Sequence, residues 1–111
     1  MTKEEMRKVQ NTIVRTMMNV ALEELEKANE EQPVKGKRLR SCTATVFETD
    51  GFYILKSYET YVACICKHND TLYDALRIVY GYTATSAQHI AKFAHDYGAG
   101  KWGVTERVVG R

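Results

Sequence analysis

Leu39-Arg-Ser-Cys-Thr-Ala-Thr-Val-Phe-Glu48, then Thr49-Asp50-Gly51, then Phe52-Tyr-Ile-Leu-Lys-Ser57 is the stretch that decides the fold. Two segments rich in β-branched and aromatic residues flank a short turn whose glycine is free to take positive φ, the pattern of a tight antiparallel hairpin. Thr60 to Lys67 reads as a third strand, and His68-Asn69-Asp70 as another turn. The segment Thr71 to Tyr82 mixes helical spacing at Leu72, Leu76 and Val79 with strand formers at Ile78, Val79, Tyr80 and Tyr82. It is read as an irregular, bulged strand.

Helical patterns lie on both sides of this β region. Residues 2 to 31 predict one long helix, with Thr2 as N-cap, Glu5 closing a capping box, and Pro33 and Gly36 ending it. Met6, Val9, Ile13, Met17, Val20, Ala21, Leu25 and Ala28 recur every three or four residues and form its main apolar stripe, with Val14, Met18 and Leu22 beside it. That stripe is longer than a small sheet can cover, so its excess either overhangs the domain edge or packs on a second copy in a homodimer; a wide stripe on one monomeric core is the alternative. A second helix is expected from about Thr85 to Tyr97, burying Ala87, Ile90, Phe93, Ala94 and Tyr97, with Gly98 as C-cap. Thr83 or Thr85 serves as its N-cap, and Thr85 with Gln88 makes a capping box. The expected fold is α+β: a small, mainly antiparallel sheet of three to five strands, with both helices packed on one face. The divisions are a helix at 1–34, a mainly β region at 35–82, a helix at 83–98 and a tail or extra strand at 99–111, all within a single domain.

A chain of 111 residues buries roughly 65% of the surface its unfolded form exposes and needs no metal or disulfide staple. Three cysteines, an odd number, fit reduced thiols better than a disulfide framework. The charged opening Met1-Thr-Lys-Glu-Glu-Met6 is unlike a signal peptide, and no apolar run is long enough to span a bilayer, so a cytoplasmic location is expected. The net charge of +2 is far below that of a dedicated non-specific DNA binder, but it is unevenly spread. Residues 1–34 carry five Lys/Arg against seven Glu, and residues 35–111 carry eleven against seven acidic groups.

Four arrangements of side chains bear on function. Lys35, Lys37, Arg38 and Arg40 place four cations in six residues. Together with Lys101, Trp102, Arg107 and Arg111 they would make a phosphate-tracking surface with an aromatic for base stacking; a solvated linker with a free tail is the alternative. Cys64, Cys66 and His68 alternate along one strand with Cys42 nearby, a possible zinc set, yet the spacing is unlike that of structural zinc sites and the thiols serve equally as small core residues. His89, one turn after Thr85 and close to Ser86 and Lys92, reads as part of a helix-start network rather than as the base of a Ser86 nucleophile, since no glycine-rich elbow surrounds it. Asp70, Asp74 and Asp96 read as turn and surface residues. No catalytic group, metal or cofactor is therefore expected.

Ser57-Tyr58-x-Thr60-x-Val62-Ala63, followed by Tyr82-Thr-x-Thr-Ser-x-x-His89-Ile-x-x-Phe93, resembles a family of small uncharacterised proteins carried by phages and other mobile elements of bacteria. The motif residues here are Tyr82, Thr83, Thr85, Ser86 and His89, and the likeness covers about forty residues, leaving the long helix and the basic linker outside it. The resemblance implies a genomic setting rather than an activity. By analogy it implies a non-catalytic accessory protein that binds and inhibits a host protein or ribonucleoprotein, anti-CRISPR proteins being one such class. A small DNA- or RNA-binding regulator acting through residues 35–40 is the alternative.

Overall fold

The structure, a computed structural model, describes residues 2–39, 43–76, 84–97 and 101–102. Helix α1 (Lys3–Glu31) begins at the expected capping box: Thr2 accepts from the Glu5 amide at 3.1 Å while the Glu5 carboxylate accepts from the Thr2 amide at 3.2 Å. It ends at Gln32, and the Asn29 side chain accepts from the Val34 amide just beyond. At about 1.5 Å per residue its length matches the 45 Å long axis of the molecule.

Six strands follow, lying side by side in chain order: β1 (Lys37–Arg38), β2 (Ala44–Glu48), β3 (Phe52–Ser57), β4 (Thr60–Cys66), β5 (Thr71–Asp74) and, after helix α2 (Ala84–Asp96), β6 (Lys101–Trp102). All neighbours pair antiparallel except β5 and β6, which are parallel. The α+β class is as the sequence predicts. Of the strand expected at 39–48 only Ala44–Glu48 is a strand among the described residues, and a further short strand, Lys37–Arg38, lies in the segment read as a linker. The expected irregular strand after Thr71 is regular as far as Asp74, and its continuation beyond Leu76 lies outside the described residues, as do Gly98 and the tail strand past Trp102.

The helices do not share a face of the sheet. Alternate residues of β3 belong to different cores: Phe52 and Ile54 pack under α1 with Val14, Met18, Ala21 and Leu25, whereas Leu55 packs under α2 with Ile90, Phe93 and Ala94. The period of two along a strand sends its neighbours to opposite sides, and every inner strand carries apolar residues on both. The result is three layers, helix on sheet on helix, rather than the two layers expected. A bulge between Leu55 and Lys56 sets Val62 out of register on β4.

The α1 stripe also differs from the expectation. Among its described side chains the buried ones are Val14, Met18, Ala21 and Leu25, while Met6 (47%), Val9 (47%), Ile13 (38%) and Val20 (44%) are exposed. Before Val14 no α1 residue with a described side chain is buried, so the first three turns extend past the sheet. The docking end is held at the β2–β3 turn, where the Gly51 amide donates to Glu24 at 2.7 Å. Gly51 serves this close approach rather than a positive φ: a Cβ would lie 3.0 Å from the Glu24 carboxylate, which would have to move aside slightly. Among the described residues no helix is long and apolar enough to cross a membrane.

Candidate functional site

Among the described residues, a buried polar pair joins the end of β3 to α2. Ser57 is the last residue of β3, and its hydroxyl lies 2.8 Å from His89 Nδ1; the two side chains are 2% and 4% exposed. Burial holds the His89 imidazole below its ordinary pKa, and the Lys92 ammonium adds to that. Tyr58 then turns the chain into the two-residue β3–β4 connection with φ of 56°, a left-handed conformation that a bulky side chain rarely adopts. Its ring, itself 56% exposed, lies 5.9 Å from that of His89.

His89 was expected in a network at the start of its own helix, but its partner comes from a strand 32 residues earlier. Helical phase explains the difference: His89 and Ile90 both face the sheet, and Phe93 and Ala94 continue that face one turn on. The sequence signal was present, since Ser57-Tyr58 opens the first motif segment and His89 lies within the second, although spacing says nothing about contact across that interval. Because α2 begins at Ala84, Thr85 stands inside the first turn rather than at the N-cap. Tyr82 and Thr83 lie outside the described residues, and Thr85 and Ser86 are described by backbone only.

The cations of the linker are divided. Lys37 pairs with Val46 and so shares the α2 side of the sheet, whereas Arg38 pairs with Thr45 and takes the other side. Lys35, Lys37 and Arg38 are exposed, and Arg40 lies outside the described residues. A groove of about 320 Å³ runs beside this edge, lined by Lys37, Arg38, Leu39, Asp96 and Tyr97. Tyr97 stacks on Tyr53 at 4.9 Å and Phe93 at 5.5 Å, and burial, then the nearby Asp96 charge, raises the pKa of its phenol. Lys101 and Trp102 stand on β6, the opposite edge of the six-stranded sheet. Five strand spacings of about 4.8 Å separate the two sets of residues by about 24 Å, so they are not one compact patch. Arg107 and Arg111 lie outside the described residues.

Cys64 and Cys66 do face the same side, but that side is the core beneath α1, and burial pushes the Cys64 thiol up to about 12. His68 is in an exposed turn after the strand and Cys42 is outside the described residues. Among the described residues no three His, Cys, Asp or Glu side chains gather as metal ligands would. Asp74, expected on the surface, is buried: it accepts from the Leu76 amide at 2.9 Å, while the Ala75 amide between them donates to Val62. These bonds satisfy backbone groups where the chain leaves β5.

Compared with known proteins, the chain matches no family model, no curated protein and no solved structure. The likeness to small mobile-element proteins therefore rests on the quoted residues alone.

Proposed function

We propose that this chain is a non-catalytic binding protein whose partner is a larger protein or ribonucleoprotein. The observation that carries the reading is where its functional groups lie. The Ser57–His89 pair, the one hydroxyl–imidazole contact among the described residues, lies between α2 and the sheet with both side chains buried. Such a pair acts as a packed hydrogen bond and not as nucleophile and base, because an attacking oxygen must meet the reacting carbon. Among the side chains that do reach solvent, Arg38 at one sheet edge and Tyr58 at the β3–β4 turn are of types enriched in interfaces, and Lys35 and Lys37 add positive charge beside Arg38. The resemblance to mobile-element proteins supports the narrower form, in which the partner is a host machine and binding inhibits it, as anti-CRISPR proteins do.

The exposed cations also support a second reading, a small nucleic-acid-binding regulator acting through residues 35–40. Affinity purification from bacterial lysate, with and without nuclease, separates the two. A stoichiometric protein partner that survives nuclease supports the first reading, and inhibition of a CRISPR effector nuclease by the purified protein supports its narrower form. Recovery of nucleic acid alone, with salt-dependent binding that weakens when Lys35, Lys37, Arg38 and Arg40 are all changed to Ala, replaces the first reading by the second.

A further inference from the structure

Apolar side chains on the outer part of α1 form a palindrome. Counted from Ile13, Val9 and Met17 are four residues away on either side, Met6 and Val20 are seven, and Lys3 and Glu23 are ten. At about 100° per residue these apolar positions lie on one stripe, roughly 110° around the helix from Val14, Met18, Ala21 and Leu25. The inner set is buried on the sheet, while Met6, Val9, Ile13 and Val20 remain exposed and Met17 bridges the two.

We propose that this stripe is covered by the same stripe of a second copy, with the two α1 helices antiparallel and a two-fold axis at Ile13. An axis there sets Met6 against Val20, Val9 against Met17 and Lys3 against Glu23 of the other copy, as the self-complementarity of a two-fold interface requires. Charge favours this direction. Residues 3–15 carry four Lys/Arg against two Glu, and residues 16–31 carry one Lys against five Glu, so antiparallel helices bring a cationic half against an anionic half. A parallel pair would set Lys3 against Lys3 and Glu23 against Glu23. The geometry leaves room for the rest of each chain, because α1 meets its own sheet only from Val14 onward. The two sheets then sit at opposite ends of the helix pair, and each copy supports the overhanging turns of the other. The pairing stands independently of the binding function proposed above.

Sedimentation equilibrium on the full chain tests it. The expected result is a dimer that Ile13→Glu converts to a monomer, because two carboxylates then meet at the axis. Val9→Glu is a second variant with the same expected outcome, and far-UV circular dichroism with a thermal melt verifies that each variant folds. Orientation is read by charge reversal. Lys3→Glu weakens the dimer roughly fivefold and the double variant Lys3→Glu/Glu23→Lys restores it, an effect of the size exposed ion pairs give when each dimer holds two. A wild-type chain that remains monomeric up to millimolar concentration overturns the proposal. So does a dimer indifferent to both glutamate substitutions, or one that the charge-reversed pair fails to restore.

Discussion

The two faces of the sheet are both apolar, yet they are covered in different ways. Helix α2 is a thirteen-residue element in which the buried residues among the described side chains, His89, Ile90, Phe93 and Ala94, all fall within two turns over the sheet. Helix α1 is more than twice as long, but among its described side chains only Val14, Met18, Ala21 and Leu25 are buried, and a second set of apolar residues stands in solvent. The α2 face also contains a buried polar pair, Ser57 and His89, whereas the α1 face contains two thiols, Cys64 and Cys66. The difference teaches that the number of apolar residues in a helix measures what it can cover in total, and not how much its own sheet offers. The short helix is matched to its sheet; the long one has surface left over.

The largest effect expected from breaking this arrangement is at Phe93 of α2, which is fully buried against the sheet. Phe93→Ala should cost about 3–5 kcal/mol in chemical denaturation, since it removes a large aromatic and leaves a cavity. Leu25→Ala on the α1 face, though buried too, should cost less, about 2–3 kcal/mol, because it removes a smaller side chain. Equal losses at the two positions would mean that the faces are equally demanding.

Next in size is the polar pair. Ser57→Ala leaves His89 Nδ1 buried without that partner and should cost about 1–3 kcal/mol. Stability should also depend on pH through His89. Its folded pKa is lowered, so below the ordinary value of 6.5 the unfolded chain takes up a proton that the folded chain resists. Stability therefore falls as pH drops through 6.5, levels off below the folded pKa, and is insensitive to this group at higher pH. The profile of His89→Gln, measured by denaturation across pH 5–8, should lack that component. On the other face the thiol behaves in the reverse sense. Because Cys64 keeps its proton up to about 12 when folded, against 9.0 in its absence, stability should fall as pH rises above 9. Its reaction with a thiol reagent at neutral pH should wait for unfolding.

The smallest effect belongs to the exposed stripe. Val20→Ser should change the stability of dilute, monomeric protein by less than about 0.5 kcal/mol, since Val20 is largely in solvent. A loss comparable to that of Leu25→Ala would show that the two α1 stripes are not distinct.

Local chemistry alone located several features. The Thr2–Glu5 capping box, the Thr49–Gly51 turn and the strand at Phe52–Ser57 depend on residues close together in the chain, so their positions were legible before any coordinates. So was the α+β class, because hydrophobic periods of two and of 3.6 are properties of a single segment. Tertiary structure decided the rest. Which side of the sheet each helix takes, and which α1 stripe is buried, follow from how an already formed helix docks, and a stripe wide enough for two surfaces is equally consistent with either. Ser57 finds His89, and the cations at 35–38 part from Lys101 and Trp102, through strand order and helix phase, relations between residues that no local pattern encodes. The fold class is written in nearest neighbours, and the site is written in contacts across 32 residues and across the width of a sheet.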